Sequence, residues 1–229
     1  NDTLTNIENV DFSDVSWDLV LNGDANANVL KGGSGNDIID GGDGDDQIYA
    51  GAGNDKVYAS FGSDYEDGGD GVDTFIVDSV LDYIPAIDLK KKAAYLYGTD
   101  PTEKNIVNFE NIKILSSSNF VLIGDDNANI LEGGAGNDTI DAGAGDDTIY
   151  GGAGDDTIIQ SGSGTQHYDG GAGTDTYKLN TTAWGNVDHD IKVDLSTGFS
   201  GLKDDPDHVL NDTLTNIENV DFSDVSWDL

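Results

Sequence analysis

The feature that most constrains this chain is a glycine-rich repeat of nine residues in which only one position is consistently apolar. Residues 23–76 divide into six such nonapeptides, and residues 124–178 hold six more with one extra residue, Gln160, after the fourth. One apolar residue in nine suits neither a helical face nor a long alternating strand. The pattern predicts very short strands, each with one inward side chain, joined by turns in which glycine supplies positive φ angles and close backbone approach.

Two positions of the repeat carry most of its chemistry. The sixth position is an acidic residue or an amide in every unit, and the eighth holds the apolar side chain. The complete pattern stands in residues 32–40 (GGSGNDIID) and in residues 151–159 (GGAGDDTII). The predicted inward residues are Leu30, Ile39, Ile48, Val57, Phe75, Leu131, Ile140, Ile149, Ile158, Tyr168 and Tyr177.

These units resemble the calcium-binding nonapeptide of the RTX (repeats-in-toxin) family, Gly-Gly-x-Gly-x-Asp-x-apolar-x. The resemblance implies an all-β fold, a right-handed parallel β-roll or β-solenoid in which six residues turn and three form a strand. Two nonapeptides then complete one coil. The resemblance also implies that calcium is the cofactor, with several ions per array held between turns that stack on the same edge of the roll.

The candidate metal ligands follow from this geometry. Calcium takes roughly six to eight oxygen ligands from carboxylates and backbone carbonyls. Because two nonapeptides make one coil, aspartates two repeats apart should share an ion, as in the pairs Asp37–Asp55 and Asp138–Asp156. The predicted ligands are the carboxylates of Asp37, Asp46, Asp55, Asp64, Asp73, Asp138, Asp147, Asp156 and Asp175, the edge amides of Asn28 and Asn129, and the turn glycines Gly33, Gly35, Gly42, Gly44, Gly134, Gly136, Gly152 and Gly154.

Two units depart from the pattern at functional positions. The unit at 161–169 carries Gln166 in place of the acidic residue, which puts one calcium position in doubt. The unit at 59–67 keeps Asp64 but has Glu66 at the apolar position, with Tyr65 as the candidate replacement in the core. We therefore expect one irregular coil in each array.

The charge balance indicates what the chain binds. Acidic residues number 45 against 10 basic residues, all lysine, for a formal charge of −35. Such a surface disfavours nucleic acid and anionic membranes, and rows of stacked carboxylates would repel one another without a cation. The absence of cysteine excludes thiolate chemistry. No catalytic or cofactor-binding residues are predicted and the chain is not expected to be an enzyme, because no nucleophile accompanies its three histidines.

A longer repeat divides the chain into modules. Residues 1–19 recur unchanged at 211–229, and a weaker copy lies near 109–125. We expect a head element at 1–22, a first array at 23–76, a β-rich connector at 77–122, a second array at 123–178, and a connector with the start of a third module at 179–229. Within the connectors, 191–195 alternates as a strand does, whereas 90–96 suits either a strand or a short helix. Trp17 and Trp227 are expected in the core or at a module junction.

Two functions suit these features. The first is a calcium-binding structural or adhesive segment of a large secreted or cell-surface protein, folded by extracellular calcium and packed head-to-tail against neighbouring repeat units. The resemblance implies export by type I secretion. The alternative is a non-catalytic polysaccharide-binding or secretion module of a secreted epimerase, lyase or protease, so that cell-surface polysaccharide is a candidate partner.

Overall fold

The chain folds into two β-sheets that face each other along a solenoid. The computed structural model describes residues 8–78, 86–95, 104–180, 191–202 and 212–224, and every regular element among them is a strand. These residues form a parallel β-solenoid of about eight turns, which confirms the predicted fold class. The described residues also contain no helix that is long and apolar enough to cross a membrane.

The described strands form one sheet of twelve strands and one of eleven. In spatial order, the first sheet contains β1 (Asn9–Asp11), β3 (Val29–Lys31), β5 (Gln47–Gly53), β7 (Tyr65–Gly71), β11 (Lys104–Val107), β10 (Ala93–Tyr95), β9 (Ala86–Asp88), β13 (Val121–Ile123), β15 (Thr139–Asp141), β17 (Thr157–Gln160), β19 (Thr176–Asn180) and β23 (Asn219–Asp224). The second contains β2 (Val20–Asn22), β4 (Ile38–Asp40), β6 (Lys56–Tyr58), β8 (Thr74–Val77), β12 (Asn111–Ile114), β14 (Ile130–Glu132), β16 (Thr148–Ala153), β18 (His167–Ala172), β22 (Asp212–Thr215), β21 (Phe199–Leu202) and β20 (Ile191–Asp194).

The register of the strands confirms that two nonapeptides make one coil. Within each array the chain alternates between sheets, and each strand pairs in parallel with the strand two places along. Leu30 lies opposite Ile48, which occupies the same position two repeats later. In the second array Ile149 lies opposite Tyr168, one residue beyond two full repeats, because Gln160 extends β17 by one residue and is buried there.

The core is the column of eighth-position side chains between the sheets. All the predicted inward residues are buried and belong to one continuous cluster. Glu66 is also fully buried at its eighth position. Tyr65, the candidate replacement, instead packs against Tyr49 in a tilted arrangement, with ring centroids 5.5 Å apart, and is only partly buried. The predicted rescue of the core by Tyr65 is therefore wrong, and a carboxyl group faces the interior.

The connectors add antiparallel strands to the same two sheets. β9, β10 and β11 pair antiparallel in the first sheet, and β20, β21 and β22 do so in the second. Residues 90–92 lie in the turn between β9 and β10, so the strand alternative holds for Ala93–Tyr95. β20 confirms the strand predicted at 191–195. Trp17 is 67% exposed, which excludes it from the core, and Trp227 lies outside the described residues.

Some of the turns stack so closely that only glycine fits at their second position. Gly51 and Gly152 have φ angles of 116° and 113°. A Cβ on either residue would collide with the backbone oxygen of the glycine one coil earlier, Gly33 or Gly134. A larger side chain at these positions would therefore separate the coils as well as strain the backbone.

Candidate metal centre

The sixth-position carboxylates form a ladder along each edge of the solenoid. The backbone N–H of Asp37 donates to Oδ1 of Asp55 at 2.6 Å, and that of Asp55 donates to Oδ1 of Asp73 at 2.7 Å. In the second array Asp156 receives the N–H of Asp138 at 2.8 Å. The predicted neighbours therefore lie side by side in consecutive coils, with each side chain bonded to the backbone of the coil before it.

The remaining predicted neighbours follow the same rule. Asn28 donates its N–H to Asp46 at 2.8 Å and Asn129 donates to Asp147 at 2.9 Å, so both amides stand at the start of their rows. The insertion of Gln160 is absorbed in the bond from Asp156 to Asp175, which spans 19 residues at 2.8 Å. The ladder thus tolerates an extra residue within a strand.

The second carboxylate oxygen is the feature that calls for a cation. Oδ2 is buried and has no hydrogen-bond donor among the described residues in seven of these aspartates: Asp46, Asp55, Asp73, Asp138, Asp147, Asp156 and Asp175. In Asp46 and Asp156 it faces the first glycine of its own turn, so that a Cβ on Gly41 or Gly151 would collide with it. A buried, unpaired anionic oxygen is costly, and its recurrence from coil to coil indicates a ligand position.

Two of the predicted aspartates differ in this respect. Oδ2 of Asp37 accepts the N–H of Gly33 at 2.9 Å. Oδ2 of Asp64 contacts the Lys104 ammonium and accepts the Ser60 hydroxyl at 3.2 Å. Asp37 and Asp64 therefore differ from the seven aspartates whose Oδ2 has no donor among the described residues.

The electrostatics of the rows oppose the charged state. Burial raises the pKa of Asp55 to about 6, and the charge of Asp37 adds to the effect. Burial likewise raises the pKa of Asp138 to about 7, with a further contribution from Asp156. The bonds from backbone N–H groups act in the other direction but do not compensate. These carboxylates therefore lack sufficient stabilisation from the protein alone.

The predicted glycine ligands occupy the second and fourth positions of their turns. Gly33 and Gly134 each accept a hydrogen bond through their carbonyl oxygen from the next coil, from Ala52 at 2.8 Å and Ala153 at 3.0 Å. Since a carbonyl oxygen has two lone pairs, one remains for another partner. The other predicted glycines, Gly35, Gly42, Gly44, Gly136, Gly152 and Gly154, lie in the same stacked turns, and their role as ligands stays a prediction.

The donor set fits calcium. The candidate ligands are all oxygens, and the anionic ones point into backbone turns. A hard cation selects such an environment. No three histidine, cysteine or acidic side chains converge on one point in the part of the chain that the structure describes. Each site would instead combine carboxylates of neighbouring coils with backbone carbonyls. A bound calcium ion supplies the positive charge that the buried oxygens lack.

The structure shows a second ladder that the sequence reasoning missed. Oδ1 of Asn36 accepts the N–H of Asn54 at 2.7 Å, and Oδ1 of Asn54 accepts that of Val72 at 3.1 Å. In the second array Asn137 accepts from Asp155 at 3.0 Å. These fifth-position bonds run opposite to those of the sixth position. The signal was present, because the fifth position is often Asn or Asp.

The connectors extend the carboxylate ladder with glutamates, which were also missed. Oε2 of Glu110 accepts the N–H of Asp73, and Oε2 of Glu218 accepts that of Asp175, both at 2.8 Å. Each glutamate stands just before a strand, β12 or β23, much as the sixth-position residue precedes the strand of a regular unit. In both arrays a glutamate is thus the last member of the row that contains Asp73 or Asp175.

A shortened turn places each of these glutamates. Asn108 and Asn216 have φ angles of 56° and 51°, and their side-chain amides donate to Asp67 and Asp169 at 2.7 and 2.8 Å. The strands on either side of each turn are separated only by Asn, an apolar residue and the glutamate. The signal in the sequence is this element, Asn-apolar-Glu, which occurs at 6–8, 108–110 and 216–218.

Comparison with known families agrees with this geometry. The model of the RTX calcium-binding nonapeptide repeat matches residues 22–57, 40–75 and 123–158. No curated protein matches the chain. The matched segments cover most of both arrays, including the rows of buried aspartates. RTX nonapeptide repeats bind calcium ions, and the matches in both arrays identify residues 22–75 and 123–158 of this chain as RTX calcium-binding nonapeptide repeats.

Proposed function

We propose that this calcium-binding repeat region is a structural or adhesive segment of a large secreted or cell-surface protein, and that it folds when it meets extracellular calcium. The observation that carries the proposal is the set of buried Oδ2 atoms that have no donor in the part of the chain that the structure describes. Because these oxygens approach one another only in the stacked coils, the metal sites do not exist before folding. Calcium binding and folding are then a single process.

The sheet topology supports assembly with neighbouring units of the same protein. β1 and β23 contain the same sequence, Asn-Val-Asp, and they form the two outer strands of the first sheet in the described residues. β1 pairs in parallel with β3. β23 would use the same edge to pair with the first array of a following unit. In this proposal the arrays at 23–76 and 123–178 bind metal, and the segments at 77–122 and 179–229 join successive arrays.

The chemistry of the chain is compatible with secretion as an unfolded polypeptide. A chain with a formal charge of −35 and no cysteine repels itself when calcium is scarce and forms no disulfides on export. Type I secretion into a calcium-rich medium would then trigger folding. The extracellular location follows from this proposal.

A far-ultraviolet circular dichroism titration tests the coupling of folding to calcium. In excess chelator the chain should show an unfolded spectrum, and added calcium should produce the strand spectrum in a cooperative transition. Magnesium is the matched control, because it retains its water ligands and demands a smaller octahedral site. A strand spectrum in chelator that calcium leaves unchanged would refute the proposal.

One observation favours the alternative, a polysaccharide-binding or secretion module of a secreted epimerase, lyase or protease. Trp17 is 67% exposed, and an exposed indole can stack on a sugar ring. Retention of the calcium-loaded protein on immobilised alginate tests this function. Binding that is lost in Trp17→Ala would support it. Lack of retention of the unaltered protein would leave Trp17 available for contacts between units.

A further inference from the structure

Lys104 occupies a place in the solenoid that belongs to a carboxylate. It is the first residue of β11, which pairs in parallel with β7 so that Ile106 lies opposite Glu66. Lys104 therefore stands two residues before an inward side chain, as the sixth-position residue does. The N–H of Asn105 donates to the carbonyl of Asp64 at 3.1 Å, so the backbone continues the coil although the side chain has the opposite charge.

The Lys104 ammonium is directed at Oδ2 of Asp64, the oxygen that has no donor among the described residues in seven other sixth-position aspartates. Its Nζ contacts Oδ2 of Asp64, and both side chains are completely buried. Oδ1 of the same carboxylate accepts the N–H of Asp46 at 2.9 Å, as in the regular ladder. Both oxygens of Asp64 are therefore satisfied by protein groups. In Asp55, on the opposite edge of the same array, Oδ2 has no donor among the described residues.

The surroundings of Lys104 disfavour a metal ion at the same position. A divalent cation beside a buried ammonium is repelled strongly, because the interior screens charge poorly. Glu66 adds a second buried carboxyl group to the cluster. In the pairing of β7 with β11 it lies opposite Ile106, two residues after Lys104. The ammonium thus contacts the buried carboxylate of Asp64 and supplies there the charge that calcium would supply in the regular coils.

In the corresponding coil of the second array, the side chains of Gln166 and Asp212 also form hydrogen bonds with other protein groups. Gln166 replaces the aspartate, and its side-chain N–H donates to the carbonyl of Gly145 at 2.9 Å. Its backbone N–H donates to Oδ1 of Asp212 at 3.0 Å, and Oδ2 of Asp212 accepts the Tyr177 hydroxyl at 3.4 Å. Neither carboxylate oxygen of Asp212 is left without a donor. Both arrays therefore end this edge without a site of the regular kind.

We propose that Lys104 takes the place of a calcium ion at Asp64, so that the first array binds one ion fewer than its nonapeptides imply. The inference rests on the proposed calcium-dependent folding for the remaining sites. Its consequence is that β11, and with it the connector, docks on the first array through an ion pair that needs no metal.

Calcium counting in matched variants tests the inference. Bound calcium is measured by equilibrium dialysis with isotopic calcium for the unaltered chain, Asp64→Asn and Asp55→Asn. We expect Asp64→Asn to keep the full number of ions and Asp55→Asn to lose at least one. Equal losses in the two variants would overturn the inference. An unaltered chain that binds no calcium would instead refute the proposed function.

Replacement of the lysine gives a second, independent readout. Lys104→Met should lower the melting temperature in saturating calcium, because it leaves the buried Asp64 carboxylate unpaired. Lys113→Met is the control, since Lys113 also joins two coils by an ion pair, with Glu132, but in a partly exposed position. If Lys104→Met and Lys113→Met melt at the same temperature, the proposed role of Lys104 is contradicted. If Asp64→Asn alone does not fold, the uncharged pair Asp64→Asn with Lys104→Met should still bind the full number of ions, and a loss would overturn the inference.

Discussion

Asp156 and Asp147 form a matched pair that isolates the contribution of metal from that of hydrogen bonding. Each accepts one backbone N–H from the corresponding residue of the coil before it, at 2.8 and 2.9 Å, and each keeps a buried Oδ2 without a donor among the described residues. They differ in their neighbours along the row. Asp156 lies between the carboxylates of Asp138 and Asp175, whereas Asp147 lies between two amides. Replacement by alanine therefore removes an equivalent backbone hydrogen bond in both variants but a different number of metal sites.

The structure gives the expected magnitudes. Loss of the bond to a charged acceptor costs about 1.5–3 kcal/mol in either variant. If two ions then bind about tenfold more weakly in Asp156→Ala, the metal part adds about 2.8 kcal/mol, since each tenfold change is about 1.4 kcal/mol. We expect a total of about 4–6 kcal/mol for Asp156→Ala and about 2–4 kcal/mol for Asp147→Ala in saturating calcium.

Urea unfolding at several calcium concentrations measures both parts. The dependence of unfolding free energy on calcium concentration reports the number of ions released. At calcium concentrations too low to fill the weakened sites, this number should decrease by about two ions in Asp156→Ala and by at most about one in Asp147→Ala. A larger decrease in Asp147→Ala would show that the rows are loaded differently from the arrangement of carboxylates described above.

The ladders and the sheets give three further predictions. Burial raises the pKa of Asp55 to about 6 and of Asp138 to about 7, so the metal-free folded state binds protons that the unfolded chain has released, and its stability falls as pH rises from about 4 to about 7. Circular dichroism of the metal-free protein should therefore show a gain of strand content on acidification from pH 8 to pH 5. No gain would contradict the raised pKa values of these buried aspartates. Glu218→Ala should cost about 1.5–3 kcal/mol in urea unfolding, whereas Glu218→Gln, which keeps an acceptor oxygen, should cost less than half as much; equal costs would point to a role for the charge. Proteins of one, two and three tandem units, each running from one copy of the repeated 1–19 sequence to the next, should melt at increasing temperatures in saturating calcium, and equal values would show that the units do not pack on one another.

The regular part of the solenoid could be predicted because its period is local. Once the strand occupies the end of each nonapeptide, the pairing of Ile39 with Val57 follows from a coil of two nonapeptides. The column of inward side chains follows from the same count. Even Glu66, which breaks the polarity of this column, remains in register, because the backbone bonds of the coil determine its direction.

The groups that complete the rows could not be predicted in this way. Lys104 and Glu110 lie in a connector without a nine-residue period, and their positions are evident only when β11 and β12 pair with β7 and β8. The sequence separations from their partners, 40 residues for Asp64 and 37 for Asp73, have no relation to the period. Their roles depend on how the intervening antiparallel strands return the chain to the edge of the roll.

Each Asn-apolar-Glu element continues into Asn-apolar, giving Glu-Asn-apolar at 8–10, 110–112 and 218–220. The three copies of this second triplet do not all lie in the same sheet. The copies in β1 and β23 belong to the first sheet and the copy in β12 belongs to the second. Successive modules are therefore related by a half rotation about the long axis, as in a twofold screw, and two modules restore the original face. The unchanged recurrence of residues 1–19 at 211–229 coincides with this full rotation. As a result, the carboxylate rows of the two arrays lie on opposite edges: Asp37, Asp55 and Asp73 on one, and Asp138, Asp156 and Asp175 on the other. A long array of such units would therefore gain or lose calcium equally on its two sides. It would have no reason to bend toward either side.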